Sequence, residues 1–202
     1  MSNDLRIYNI DEDYINYLRK FESKVFDPKL ITRNHERKYV GIVLKVGDFK
    51  YYIPFSSPKF SDFKKDGITI RKSIIPIIRM TNKSKTELKG TLKLSNMVPV
   101  PNSCLRLYNI EEEKDLKYRN LLLEQAEFIK KNTKLIKNNA SVIYKQKCNN
   151  YDIGYIKNCC NFKLLEEKCL EYQSYLEPIE EVAAAREIED KDIEEENKED
   201  WE

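Results

Sequence analysis

The chain has 202 residues, of which 36 are lysine or arginine and 34 are aspartate or glutamate, so its formal net charge is +2. A chain of this length can bury one hydrophobic core, and we expect a single domain followed by a tail. The first residues are polar, and no apolar stretch approaches the ~20 residues that a membrane span requires. We therefore expect neither a signal peptide nor a membrane anchor, which predicts a cytoplasmic protein.

The near-neutral total hides two regions of opposite charge. Residues 177–202 carry thirteen acidic and three basic side chains, whereas residues 1–176 carry 33 basic and 21 acidic ones. The acidic segment combines dense like charge with few aromatic residues, a composition that predicts a disordered tail. The cationic body suits a polyanionic partner. The predicted organisation is one domain at 1–176 and an acidic tail at 177–202.

Cysteine and histidine usage argues against several kinds of site. The five cysteines have no CxxC spacing and the chain has one histidine, which fits neither a disulfide framework nor a zinc site. We therefore expect reduced thiols, no metal and no cofactor. A ribonuclease that uses two histidines as acid and base is excluded. His35 lies between Arg33 and Arg37, where both a substrate contact and an ordinary loop position stay open.

The first predicted elements are a strand, a helix and a hairpin. The strand covers Arg6–Ile10, and Asp11 or Asp13 caps a helix that the Asp27-Pro28 pair ends. The apolar stripe of this helix comprises Tyr14, Leu18, Phe21 and Val25. Strands at Tyr39–Val46 and 50–55 follow, and Gly47-Asp48 between them is typical of a two-residue hairpin turn.

The remaining chain divides into strands and then helices. Strands are predicted at 73–80, 90–96 and 98–100, and Pro76 makes the first of them an edge or bulged strand. Beyond Pro101 the apolar period becomes helical. One stripe comprises Leu122, Ala126, Ile129, Thr133 and Ile136, and another comprises Phe162, Leu165, Cys169, Tyr172 and Leu176.

The end of the hairpin, residues 56–59, is the most informative segment; we call it the hairpin tip. Pro58 has no N–H and favours an extended Ser57, so the strand must end here with Ser56, Ser57 and Lys59 projecting. Antiparallel pairing returns this tip to the point where Arg37 and Lys38 enter the sheet. Two hydroxyls and several cations without a carboxylate between them suit a phosphodiester, whose charge grows when it is attacked. The alternative is an ordinary turn with solvated charges.

The helical half has a basic face of its own. Its predicted RNA contacts are Lys130, Lys134, Lys137 and Lys145. Such a face can follow a phosphate backbone, although many basic helix faces are merely solvated. Tyr144, Tyr151 and Tyr155 alternate with lysines in a pattern that permits base stacking, and core packing explains at least one of them equally well.

Six segments in the same order carry a family resemblance. They are YINYLRKF at 14–21, YVGIVL at 39–44, YIPFSSPK at 52–59, GTLKLSNMVP at 90–99, YRNLLLEQ at 118–125 and CNFKLLEEK at 160–168. The chain resembles the ToxN/AbiQ family, the toxins of type III toxin-antitoxin and abortive-infection systems. The similarity runs through most of the first 175 residues.

The resemblance implies both a fold and an activity. The fold is α+β, a compact MazF-like twisted antiparallel β-sheet or barrel wrapped by α-helices, with a mainly helical C-terminal half. The activity is that of a metal-independent endoribonuclease toxin that cleaves cellular and phage mRNA and the precursor of its own antitoxin RNA. The implied inhibitor is that antitoxin RNA, a tandem-repeat pseudoknot held in a cyclic toxin–RNA assembly.

On the matching positions, the resemblance also implies residue roles. The 2′-hydroxyl attacks the neighbouring phosphate, leaving a 2′,3′-cyclic phosphate and a 5′-hydroxyl. Ser57 orients the reacting groups and Ser56 supports it. Lys59 and Arg37 neutralise the transition state, and Arg33 or Lys38 flanks them.

One departure from the family pattern limits these roles. Arg33 and Arg37 stand where members of the family carry a tyrosine and a lysine, and arginine stays charged at every relevant pH. A proton-transfer role at those two positions is therefore not expected. Two other classes stay open from the sequence: a non-catalytic RNA-binding module, and a type II toxin restrained by a protein antitoxin.

Overall fold

A computed structural model describes residues 5–28 and 35–176. Arg33 and the predicted tail at 177–202 lie outside the described residues. The architecture is an antiparallel sheet covered by helices, which confirms the predicted α+β class. Within the described residues, no helix is both long enough and apolar enough to cross a membrane.

Across residues 5–28 and 35–176, seven strands form the sheet. Their bounds are Arg6–Ile10 (β1), Tyr39–Val46 (β2), Phe49–Ser56 (β3), Ile77–Thr81 (β4), Leu88–Lys93 (β5), Val98–Pro99 (β6) and Leu105–Leu107 (β7). The first strand and the hairpin agree with the sequence prediction. The strand predicted at 73–80 begins only at Ile77, directly after Pro76, because proline cannot donate to a strand ladder. The strand predicted at 90–96 ends at Lys93, where Leu94–Asn96 forms a 3₁₀ turn.

The strand order is β4-β5-β3-β2-β1-β7, and β6 also pairs with β3. The first half of β3 pairs with β6 through Tyr51 and Tyr52, while its last residues pair with β5 through Phe55 and Ser56. This order leaves β4 and β7 at the two edges, so the pairing among the described strands is that of an open sheet and not of a closed barrel. The edge position of β4 agrees with the prediction from Pro76.

In the part of the chain that the structure describes, four helices cover the sheet. Their bounds are Glu12–Phe21 (α1), Leu116–Lys131 (α2), Thr133–Cys148 (α3) and 162–176 (α4). Asp11 caps α1 by accepting the backbone N–H of Asp13 at 2.8 Å. The helix ends at Phe21, earlier than the sequence predicted, and Phe21 is 44% exposed although it was assigned to the apolar stripe. Val25 is buried, but it reaches the core from the segment that follows the helix.

The predicted stripe from Leu122 to Ile136 belongs to two helices. The chain leaves the helical conformation at Asn132, which ends α2 and begins α3. Leu122 and Ile129 are buried on α2, and Ile136 is buried on α3. The apolar period therefore continues across a one-residue break that periodicity alone does not reveal.

A buried carboxylate joins α4 to the rest of the domain. Glu166 accepts hydrogen bonds from the hydroxyls of Tyr51 at 2.9 Å and Tyr144 at 2.7 Å, and from the amine of Lys163 at 2.8 Å. Since a buried charge is tolerated only when it is paired and hydrogen-bonded, this network fixes α4 against β3 and α3. Burial raises the pKa of Tyr51 far above its usual value, so its hydroxyl stays a donor.

The five cysteines are all free thiols, as the sequence predicted. Cys104, Cys159, Cys160 and Cys169 are buried, and Cys148 is partly buried. Burial raises the pKa of the Cys159 thiol to about 11, which keeps it protonated and unreactive. The cysteines therefore contribute to core packing.

Candidate active-site cleft

The β2–β3 pairing places the hairpin tip beside the residues that enter β2. Tyr39 pairs with Pro54, and the Phe55 N–H donates to the Lys38 carbonyl at 2.9 Å. The tip therefore emerges next to Arg37 and Lys38, which confirms the sequence argument from antiparallel pairing. This juxtaposition joins residues almost twenty positions apart in the chain.

A cleft of about 320 Å³ opens at this point. Its wall is formed by the entry to β2, by the end of β3, by β5 and by α2 from Tyr118 to Gln125. The lining residues are His35, Glu36, Arg37, Lys38, Phe55, Ser56, Ser57, Pro58, Lys89, Tyr118, Leu121 and Gln125. The cleft thus holds five of the residues that the sequence singled out, namely Ser56, Ser57, His35, Arg37 and Lys38.

The two serines differ in accessibility. Ser57 is exposed, whereas Ser56 is 7% exposed and its hydroxyl donates to the Ser57 carbonyl at 3.4 Å. Ser56 also lies directly opposite Thr91 of β5, whose hydroxyl donates to the Ser56 carbonyl at 3.5 Å. Ser57 is therefore the hydroxyl that a ligand can reach, and Ser56 supports the backbone from which it projects.

The Arg37 side chain holds the end of β3 in place. Its guanidinium donates to the Phe55 carbonyl at 2.5 Å and to the Asp27 carbonyl at 3.1 Å, and it lies over the Phe26 ring at 4.5 Å. The residue is only 6% exposed. Its charge therefore reaches the cleft in a fixed position, while part of its hydrogen-bonding capacity holds the hairpin tip.

Lys38 and His35 also line the cleft. The Lys38 amine lies 4.0 Å from the centre of the Tyr108 ring, and burial lowers the pKa of Lys38 despite the opposing effects of Glu36 and Glu113. His35 stacks on Tyr118, with ring centres 3.8 Å apart.

The His35 imidazole nitrogen Nε2 lies 3.2 Å from the Asp115 carboxylate. Asp115 also caps α2, and the N–H of Tyr118 lowers its pKa most. His35 is thus fixed in the wall of the cleft by a ring and a carboxylate on α2.

Lys59 is not among the residues that line this cleft. Its backbone N–H donates to Asp62 at 3.0 Å, and Asp62 forms a buried ion pair with Arg79 at 3.0 Å. The buried Lys93 also lies in this group. Burial lowers the pKa of Lys93, Lys59 and Arg79 lower it further, and Asp62 opposes them. Lys59 therefore stands just past the rim, at a second basic cluster that the sequence did not predict.

The expectation that no carboxylate lies among these groups is wrong. Glu36 lines the cleft and accepts a hydrogen bond from the Asn9 amide at 3.1 Å, and Asp62 lies beneath Lys59. Both carboxylates are paired with donors from the protein. Neither carboxylate is evident from the sequence pattern. Glu36 lies within a run of cationic residues, and Asp62 is three residues beyond the tip.

Sequence reasoning missed the contribution of α2 and β5. The Gln125 amide donates to the Lys89 carbonyl at 2.5 Å and so joins the helix to the strand, while the Lys89 amine pairs with Glu124 at 2.7 Å. Gly90, the residue after Lys89 in β5, has φ +142°. A Cβ at this position would lie 2.8 Å from the Gln125 amide nitrogen. One signal was present in the sequence: Gln125 is a polar residue at a buried position of an otherwise apolar stripe.

The predicted basic face is divided between two helices. Lys130 lies in the last turn of α2, whereas Lys134, Lys137 and Lys145 lie on α3 at spacings that share one side. Lys130, Lys134 and Lys145 are exposed and Lys137 is half-buried. These positions suit a polyanion, and their role in RNA binding stays a prediction.

The three tyrosines considered for base stacking have different environments. Tyr144 is 9% exposed and packs between Tyr51 and Phe162, so it belongs to the core. Tyr155 is half-buried and its hydroxyl donates to Gln146 at 2.6 Å. Tyr151 is 53% exposed, which leaves it as the accessible ring among the three.

Comparison with known proteins identifies relatives over most of the chain. Residues 6–170 match the family model described as toxin ToxN of the type III toxin-antitoxin system. The endoribonuclease AbiQ of Lactococcus lactis subsp. lactis is 36% identical over 83% of this chain and 89% of its own length. The endoribonuclease ToxN of Bacillus thuringiensis subsp. kurstaki is 32% identical over 83% of this chain and 84% of its own.

Solved structures agree with these relatives. The AbiQ structure, described as a lactococcal anti-phage endoribonuclease of the type III system, superposes with a TM-score of 0.71 at 32% identity, covering 85% of this chain and 99% of that one. A second structure, from work on selective toxin inhibition by a non-coding RNA pseudoknot, gives 0.70 at 29% identity, covering 84% of this chain and 98% of that one.

The fold is an α+β domain, and the cleft at the end of its hairpin holds basic side chains and hydroxyls. Such groups suit the binding of a phosphodiester. The match over residues 6–170 then makes the assignment specific. The chain belongs to the ToxN family of type III toxin-antitoxin systems, as the six sequence segments predicted.

Proposed function

We propose that this chain is the endoribonuclease toxin of a type III toxin-antitoxin system. It cleaves single-stranded regions of mRNA and of its own repetitive antitoxin precursor in the cytoplasm, and the processed antitoxin RNA inhibits it. The named activity of its relatives and the anti-phage role of AbiQ support this assignment. Restraint by an RNA is favoured over restraint by a protein antitoxin, because the family model and the solved relatives belong to the type III class.

The observation that carries the proposal is the convergence of Ser56 and Ser57 with Arg37 and Lys38 in one cleft. A phosphodiester attacked by its neighbouring 2′-hydroxyl requires alignment and stabilisation of growing negative charge. The exposed Ser57 hydroxyl orients the reacting phosphate, Ser56 holds the backbone, and Arg37 supplies a fixed positive charge. Lys59 approaches the same phosphate from the rim.

The direct test of the proposal is the chemistry of the RNA ends. Purified wild-type protein is incubated with A-rich single-stranded RNA in excess chelator, and the products are analysed. We expect 2′,3′-cyclic phosphate and 5′-hydroxyl ends, because the attacking group is supplied by the RNA itself. Intact RNA after long incubation would indicate a binding module, and cleavage that requires an added divalent cation would contradict the proposed chemistry.

The partner of the toxin is expected to be an RNA. We predict that protein expressed together with its native upstream DNA copurifies with a short repeated RNA in a closed, cyclic assembly. The related structure inhibited by an RNA pseudoknot and the cationic body support this. Light scattering and extraction of nucleic acid measure it. Elution as a bare monomer, without RNA, from cells that transcribe the upstream repeats would contradict it.

The basic side of α3 should contribute to binding more than to chemistry. We predict that changing Lys134 and Lys137 to glutamine together weakens RNA binding and reduces the slope of log affinity against log salt by about 1.4 to 1.8, because each phosphate contact releases about 0.7 to 0.9 counterion. Titrations at several salt concentrations measure the slope. Changing the exposed Lys20 and Lys45 to glutamine together is the matched control for the loss of two charges. A collapse of cleavage at saturating RNA would place α3 in the active site instead.

A further inference from the structure

The segment that follows the hairpin tip has an unusual combination of order and exposure. Phe60 is 80% exposed and Ile68 is 81% exposed, although both lie in a loop held by many hydrogen bonds. We call residues 59–72 the basic loop, since it contains Lys59, Lys64, Lys65, Arg71 and Lys72 against Asp62 and Asp66. Large apolar side chains in a fixed and exposed position mark interaction sites more often than scattered surface residues do.

The order of the basic loop begins at its base. The Arg71 N–H donates to the Asp62 carbonyl at 2.9 Å, and the Arg71 side chain donates to the Phe63 carbonyl at 2.7 Å. The Asp62 carboxylate is held by Arg79 on β4 and accepts the Lys59 N–H. The two ends of the loop are therefore tied to each other and to the sheet.

The far turn of the loop is fixed in the same way. Asp66 accepts the N–H groups of Ile68 at 2.9 Å and Thr69 at 2.8 Å. The hydrogen bond from the Thr69 hydroxyl, followed by these two N–H bonds, lowers the pKa of Asp66 to about 2. The Lys64 N–H donates to the Thr69 carbonyl at 2.8 Å. This backbone holds the ring of Phe60 beside Gly67, where a Cβ would lie 3.9 Å from the ring edge.

Phe60 stands three residues beyond Ser57 and next to Lys59. Its backbone N–H belongs to the 3₁₀ turn Phe60–Asp62, whose start is set by the Lys59–Asp62 contacts. The neighbouring Lys59 belongs to the charged cluster that also contains Asp62 and the buried Lys93. An exposed aromatic ring that directly follows a cation and lies three residues beyond the proposed phosphate site is suited to stack on a base of a single nucleic-acid strand.

We infer that Phe60 is a base-stacking subsite for a nucleotide that flanks the scissile phosphate, which Lys59 approaches from the rim. This inference rests on the proposed function, since it requires that RNA is cleaved at Ser57. A stacked base fixes the register of the strand, so Phe60 contributes to the choice of cleavage position. An aromatic ring can stack on any of the four bases. The subsite therefore favours bases that stack more strongly, without reading their hydrogen-bonding groups.

The test compares four proteins: wild type, Phe60→Ala, Phe60→Trp and Ile68→Ala. The Ile68 variant is the matched control, because it removes a side chain of equal exposure from the same loop without removing a ring. The binding probe is a single-stranded DNA oligonucleotide with the sequence of a cleaved RNA, which has no 2′-hydroxyl and therefore stays intact. Cleavage of the RNA itself is measured in parallel.

We expect Phe60→Ala to weaken binding of the probe and to raise KM for the RNA by roughly 5- to 150-fold, the range that corresponds to 1–3 kcal/mol for one stacked base. Phe60→Trp should restore both, and Ile68→Ala should match wild type. The distribution of cleavage positions should broaden in Phe60→Ala and narrow again in Phe60→Trp.

The outcomes separate the two proposals. If wild type cleaves RNA and Phe60→Ala binds the probe equally well with the same cleavage positions, the stacking subsite is wrong and the proposed function stands. If wild type does not cleave RNA at all, the proposed function itself is wrong. If Phe60→Ala changes the oligomeric state and leaves binding of the probe unaltered, the ring serves a protein contact, which also overturns the inference.

Discussion

Ser57→Ala should reduce the rate of RNA cleavage by about 10²- to 10³-fold, the loss that follows removal of one hydrogen bond made mainly in the transition state. Ser57 is exposed at the end of β3 and contributes nothing to the core, so the fold and the binding of antitoxin RNA should be preserved. The measurements are single-turnover cleavage of A-rich RNA in chelator, the Kd for antitoxin RNA, and toxicity in cells.

Neighbouring variants make this prediction specific. Lys59→Ala should be at least as severe, because it removes a full charge beside the developing dianion, and Ser56→Ala should be milder because its hydroxyl is turned to the Ser57 carbonyl at 3.4 Å. Ser61→Ala is a control for loss of a hydroxyl from an exposed position just beyond the tip. A Ser57→Ala protein as toxic as its parent would remove Ser57 from the mechanism.

Arg79→Ala should destabilise the domain by about 3–5 kcal/mol, the usual result of removing one partner of a buried ion pair. Asp62 and Arg79 are 1% and 7% exposed, and the two guanidinium nitrogens lie 3.1 and 3.0 Å from the same carboxylate oxygen. Loss of the guanidinium leaves Asp62 buried without its main partner. Lys93 offers partial compensation, so the lower part of this range is expected. Denaturant unfolding measures the change.

Two further variants show that the charge pair is responsible. The double change of Asp62→Asn with Arg79→Met removes both charges and should recover much of the stability. Arg71→Ala removes an exposed guanidinium that donates to one carbonyl at 2.7 Å and should cost about 0.5–1.5 kcal/mol. If Arg79→Ala and Arg71→Ala had equal effects, the buried pair would not anchor the basic loop.

The hairpin was predictable because its signals are local. Runs of apolar and aromatic residues define β2 and β3, Gly47-Asp48 defines the turn, and Pro58 ends the second strand. Antiparallel geometry then requires the tip to meet Arg37, which the structure confirms through the bond to the Phe55 carbonyl. Chemistry, in contrast, was predictable only through the family resemblance, since a Ser-Pro-Lys segment by itself is also typical of a turn.

The errors have equally specific causes. The strand at 73–80 was placed too early because apolar content was weighed above the missing N–H of Pro76. The α2–α3 break at Asn132 was missed because an apolar stripe can continue through a single non-helical residue. For Tyr144 the sequence leaves stacking and core packing both open, and its place four residues after the buried Ala140 puts it on the core side of α3.

The strand and helix types, the hairpin, the cationic body and the family follow from the sequence alone, because each depends on short-range spacing or on total composition. The groups that surround the tip, in contrast, depend on the tertiary fold. It brought Tyr118 and Gln125 from a helix more than sixty residues away into the cleft, and it placed Lys59 with Arg79 and Lys93 past the rim. Such contacts depend on how the helices pack on the sheet, and no local pattern encodes that arrangement.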